Sequence, residues 1–131
     1  INCSLGLTPL STFWPNDFSL TSFTKPFTTL KTKIIKPNMR WCNDSKNKFY
    51  NKEIRTKLIR SENLFRKDSK YDYLIVIKYN EKKIPYKGSA IFLHLTNNYF
   101  PTAGCLELKK NDFVILLKLI NKKTKIKINK F

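Results

Sequence analysis

Two residues of this chain have the types and the placement for nucleophilic chemistry: His94, the only histidine, and Cys105 a short way beyond it. They sit in Gly88-Ser89-Ala90-Ile91-Phe92-Leu93-His94 and in Pro101-Thr102-Ala103-Gly104-Cys105-Leu106. A thiol attacks as its thiolate, and an imidazole beside it lowers its pKa and carries the proton. Gly104, directly ahead of Cys105, lets the backbone turn tightly. That exposes the amide N–H groups of Gly104 and Cys105, which can face the oxyanion of a tetrahedral intermediate. The competing reading is a packed strand histidine and a buried, inert cysteine, both common.

The chemistry requires elements that bring the two side chains together. Residues 89–95 read as a strand whose period of two puts Ala90, Phe92 and His94 on one face and Ile91, Leu93 and Leu95 on the other. A loop over 97–104 can return an extended piece, 105–108, antiparallel beside it, within reach of His94. Residues 71–79 are β-branched and aromatic, the composition of a strand buried on both faces. Residues 30–36 read as a strand ended by Pro37-Asn38, and 124–128 as the last one. Residues 40–57 carry polar turn signals, and Ser61 is placed to cap a short helical turn through Arg66. Asn111 is the expected N-cap of the one main helix, about 111–121, with Asp112 at its positive end and Phe113, Leu116, Leu117 and Ile120 as its core stripe. The sum is a mainly β fold with one main helix. The three glycines are isolated, so no phosphate-cradling loop is present.

At 131 residues the chain fits one domain, 1–131, and its apolar runs are too short for a transmembrane segment. Net charge is +17, which favours an anionic partner. Only 4 of the 26 basic residues are Arg, the residue suited to bidentate phosphate or base recognition. The 18 aromatic residues (10 Phe, 6 Tyr, 2 Trp) could stack bases, but they form no recognisable RNA-binding pattern, so no nucleic-acid partner is expected. Cys3, Cys42 and Cys105 contain no C-x-x-C pair, which argues against structural zinc. In an oxidising compartment one bridge could form among the three and one thiol would stay free, with the pairing open. The chain starts at Ile1 without an export signal, as a processed chain or a fragment would.

The segment G-S-A-I-F-L-H followed by P-T-A-G-C-L resembles the signature of YkuD-type L,D-transpeptidases: a strand histidine, then a small-residue loop ending in Ser/Thr-x-Gly-Cys. It is most similar to the branch of that family carrying G-S-A-I-F-L-H and T-A-G-C. Weaker likenesses fall in order along nearly the whole chain: Cys3-Ser4-Leu5-Gly6, Thr8-Pro9, Thr12-Phe13, Trp41-Cys42-Asn43-Asp44, Tyr50-Asn51, Tyr71-Asp72 and Tyr79-Asn80. The resemblance implies a YkuD-like β-sandwich of mixed sheets, N-terminally shortened here. Cys105 falls on the nucleophile, His94 on the general base, Thr102 on the loop hydroxyl and Gly104 on the flexible glycine. It further implies a disulfide between Cys3 and Cys42, a histidine oriented by a backbone carbonyl, and no cofactor or metal.

The activity so implied is acyl transfer on peptidoglycan stem peptides through a thioester, with carbapenem-class β-lactams as further ligands. The implied setting is the periplasm or cell envelope, and the implied state a monomer. Alternatives are an L,D-carboxypeptidase of the same family, or a non-catalytic basic domain binding nucleic acid or envelope polymer. Ala103 and Glu107 depart from the better-studied branch, which has His and Arg there, and the stretch Gly6-Leu7-Thr8-Pro9 lacks a basic loop. Trp41 and Asn43 either wall the site or pack against a sheet edge.

Overall fold

A computed structural model describes residues 28–56 and 60–128, together with the backbone of 2–4 and 9–11. Its strands are β1 (Asn2–Ser4), β2 (Pro9–Ser11), β3 (Lys33–Ile34), β4 (Arg40–Cys42), β5 (Glu53–Ile54), β6 (Ser61–Asn63), β7 (Tyr73–Val76), β8 (Phe92–Leu95), β9 (Leu106–Leu108) and β10 (Lys125–Lys127). One helix, α1 (Lys110–Leu119), lies between β9 and β10. The fold is mainly β with one helix, as the sequence implied.

The central sheet has the order β3-β2-β7-β8-β9 and is mixed: β2–β7 and β7–β8 are antiparallel, β2–β3 and β8–β9 parallel. A second, antiparallel sheet has the order β5-β4-β6, and β1 pairs with β10. Apolar side chains on both faces of β7 and β8 make this sheet the middle layer. On one face Ile75, Leu93 and Leu95 pack with Phe113, Leu117 and Ile120 of the helix side. On the other, Leu74, Phe92 and Ala90 pack with Met39, Leu64 and Tyr71, with Trp41 of the second sheet against them. Period two along β8 therefore sends Phe92 and Leu93 into opposite cores, as the alternation predicted. All four β8 side chains are buried.

Several local expectations are corrected. Residues 105–108 were expected antiparallel to the histidine strand; β9 runs parallel to β8, with His94 opposite Glu107. The connection 96–105 makes the crossover, pinned where the Thr96 N–H donates to Leu108 O at 2.9 Å. Ser61 caps no helical turn. It lies in β6, held by Arg40, whose Nε donates to Ser61 Oγ (2.8 Å) and Nη2 to Ser61 O (3.1 Å). Asn111 is not the N-cap: the Phe113 N–H donates to Lys109 O, so the cap is Lys109, two residues earlier, and the helix starts at Lys110. The helix also stops short of Asn121, whose side chain accepts from the Lys123 N–H (2.8 Å) and closes a turn with Thr124. The strand over 89–95 is trimmed to β8 because Ala90 adopts φ 55, outside the extended region.

No helix among the described residues is long and apolar enough to cross a membrane.

Candidate active site

His94 and Cys105 line one cavity of about 340 Å³, with Asn43, Glu62, Arg66, Lys70, Tyr71, Ser89, Ala90, Ile91, Glu107 and the loop residues Phe100, Pro101, Thr102 and Ala103. β8 delivers the histidine from the sheet, and the crossover loop delivers the cysteine from its end. The imidazole is 6% exposed. Its ring packs against Tyr71 (centroids 5.2 Å apart), which in turn meets the edge of Phe92 at 6.0 Å.

His94 Nδ1 lies 2.9 Å from the carbonyl oxygen of Leu95. A carbonyl can only accept, so in the neutral ring Nδ1 carries the hydrogen and Nε2 keeps a lone pair, the tautomer a general base needs. The group that fixes the ring is thus the backbone carbonyl of the next residue in the strand.

The Cys105 thiol donates to Ala90 O at 3.3 Å and makes no hydrogen bond to His94 among the described residues. Burial pushes the thiol above its ordinary value; the Phe92 N–H opposes this, and the carboxylates of Glu62 and Glu107 add to it. The sulfur therefore rests protonated. Thr102 Oγ1 donates to Cys105 O (2.6 Å) and accepts from the Gly104 N–H at 3.4 Å, which fixes the turn on which Cys105 sits. Gly104 has φ +134, a conformation reserved for glycine, and a Cβ there would stand 3.3 Å from Ile91 Cδ1. Of the two expected oxyanion donors, the Gly104 N–H is thus turned to Thr102.

Charges of both signs ring the cavity. The Tyr71 hydroxyl donates to Glu62, and burial with this contact holds the phenol above its ordinary range. Arg66 lies over the Tyr71 ring at 5.1 Å and pairs with Asp68, whose carboxyl it holds below the usual value. Glu107 Oε1 is 3.8 Å from His94 Nδ1 and 4.0 Å from Lys70 Nζ. Among the described residues no three His, Cys, Asp or Glu side chains come together as a metal-holding group.

The structure thus gathers Cys105, His94, Thr102, Ala103 and Asn43 around one cavity. Asn43 is tied to its wall through Ser89, whose Oγ is 2.9 Å from Asn43 Oδ1. Trp41 is not on the wall. Its ring meets the edge of Phe92 at 5.3 Å, and its Nε1 donates to Asn51, so it serves the core. Cys42 is buried and unbridged among the described residues; the Cys3 side chain, and with it the expected Cys3–Cys42 bridge, lies outside them, as does the stretch Gly6-Leu7-Thr8. Sequence reasoning missed the roles of Glu62, Tyr71 and Glu107. For Glu107 a signal existed: two residues past Cys105 in an extended chain, it must share a side with it.

No protein-family model, curated protein or solved structure matches the chain.

Proposed function

We propose that the chain is a cysteine acyltransferase of L,D-transpeptidase type, acting on peptidoglycan stem peptides in the periplasm or cell envelope. The observation that carries the reading is that Cys105 and a His94 fixed with Nε2 as its basic nitrogen border the same cavity. The resemblance of the two motifs around them supplies the substrate class.

In the proposed reaction the Cys105 thiol leaves Ala90 O and gives its proton to His94 Nε2. The thiolate attacks the carbonyl carbon between the diamino acid at position three and the terminal D-residue. The Cys105 N–H holds the resulting oxyanion. The intermediate collapses as the C–N bond breaks, His94 returns the proton to the leaving amine, and the acyl group remains on sulfur as a thioester. An acceptor amine then attacks this thioester, His94 takes its proton, and the thiolate leaves and is reprotonated. Water in place of the amine would make the enzyme an L,D-carboxypeptidase.

The test is incubation with a tetrapeptide-stem muropeptide, followed by chromatography for the released D-amino acid and for cross-linked or tripeptide product. Release that disappears in Cys105→Ser supports the reading. A folded protein that releases nothing overturns it in favour of a non-catalytic envelope domain.

A further inference from the structure

Resting on that reading, we propose that Glu107 is a positioning residue for the nucleophile's base: its carboxylate stabilises the charged His94 ring that forms when Cys105 gives up its proton. The parallel register sets His94 directly opposite Glu107 on neighbouring strands. Oε1 then lies 3.8 Å from Nδ1, with both side chains almost fully buried, 6% and 5% exposed. That distance is too long for a hydrogen bond, and the Nδ1 hydrogen is already given to Leu95 O. Glu107 therefore acts through its charge, at short range and away from bulk water, where such a contact is least screened. The division of labour follows: Leu95 O fixes the tautomer and ring orientation, and Glu107 favours the cationic form.

The other charges near the pair come from the neighbouring segments. Lys70, on the turn before β7, is 4.0 Å from Glu107 Oε1, but its side chain is 43% exposed and so more strongly screened. Glu62, from β6, is engaged by the Tyr71 hydroxyl, and Arg66 is engaged by Asp68 and the Tyr71 ring. Glu107 is thus the carboxylate that reaches His94 directly.

The alternative, a carboxylate that is merely a negative neighbour of the sulfur, makes the opposite prediction. Glu107 and Glu62 both push the Cys105 thiol up, after burial. If that were its whole effect, removing the charge would make the thiol more reactive.

The experiment is the rate of Cys105 alkylation by iodoacetamide from pH 6 to 10, read by peptide mapping so that Cys42 is counted separately. It needs no substrate, so it tests this inference even if muropeptide turnover fails. Glu107→Gln is expected to slow alkylation at pH 7 by about tenfold. Glu107→Asp should fall between the two. In the His94→Asn background, Glu107→Gln should give no slowing. An equal or faster rate for Glu107→Gln in the wild-type background overturns the proposal. Circular dichroism checks the fold; if the Gln variant does not fold, Glu107→Asp decides, and a rate equal to or above wild type is the contrary result.

Discussion

Cys105 Sγ and the carbonyl oxygen of Ala90 lie 3.3 Å apart, the thiol donating to a residue whose backbone is at φ 55. The irregular backbone two residues before β8 thus turns a carbonyl to the thiol hydrogen. The resting thiol is neutral, and burial reinforces this. In the proposed reaction a thiolate must be created at the moment of attack, which places the demand on His94.

Stability should fall at alkaline pH. Cys105 and Tyr71 are both held above their ordinary values of 9.0 and 10.0, with burial the main cause for each. The folded state keeps protons that the unfolded chain releases, so their contribution is complete below the unfolded values and is lost as pH rises through the folded ones. Urea midpoints measured from pH 7 to 11 should decline above about pH 9, and Cys105→Ser and Tyr71→Phe should each flatten the decline.

Gly104→Ala should lose both stability and acylation. At φ +134, with Ile91 Cδ1 only 3.3 Å from the new Cβ, the turn below Cys105 is strained or moves. The expected cost is about 1–3 kcal/mol, read as a lower thermal midpoint, together with slower covalent labelling of Cys105.

Phe92→Ala should destabilise the protein by about 3–5 kcal/mol in chemical denaturation. Phe92 is fully buried and takes edge contacts from both Trp41 and Tyr71, so its loss opens the layer that backs the His94 ring. The backbone N–H that faces the sulfur is retained, so any folded fraction should still label at Cys105.

His94→Ala and Cys105→Ser should each remove turnover by at least about a hundredfold while far-UV circular dichroism stays close to wild type. D-amino acid release from a tetrapeptide stem checks both. Full activity in either variant would reassign the roles of base and nucleophile.

The two faces of β8 were legible in the sequence because alternation is a local property: Phe92 and Leu93 enter different cores wherever the strand lies. The direction of β9 was not. It depends on the path of residues 96–105 and on the distant bond between Thr96 and Leu108, and neither leaves a periodic trace. The helix was visible from Phe113, Leu117 and Ile120, but its start was misplaced because the Lys109 carbonyl, a group every residue carries, accepts the first bond. At the site, His94 and Cys105 could be singled out from residue type and motif. The Leu95 carbonyl could not, and for Glu107 only its side of the extended chain was legible, since the parallel register that sets it against His94 exists only in three dimensions.

The proposed function requires that the sulfur of Cys105 be a nucleophile activated by His94. The most direct measurement is intact-protein mass spectrometry after incubation with a carbapenem, with peptide mapping to locate the adduct. The account predicts one added carbapenem mass on Cys105 in the wild-type protein and none in Cys105→Ser, with a much slower gain in His94→Ala. A folded wild-type protein that stays unmodified, or an adduct that maps to Cys42, would contradict it.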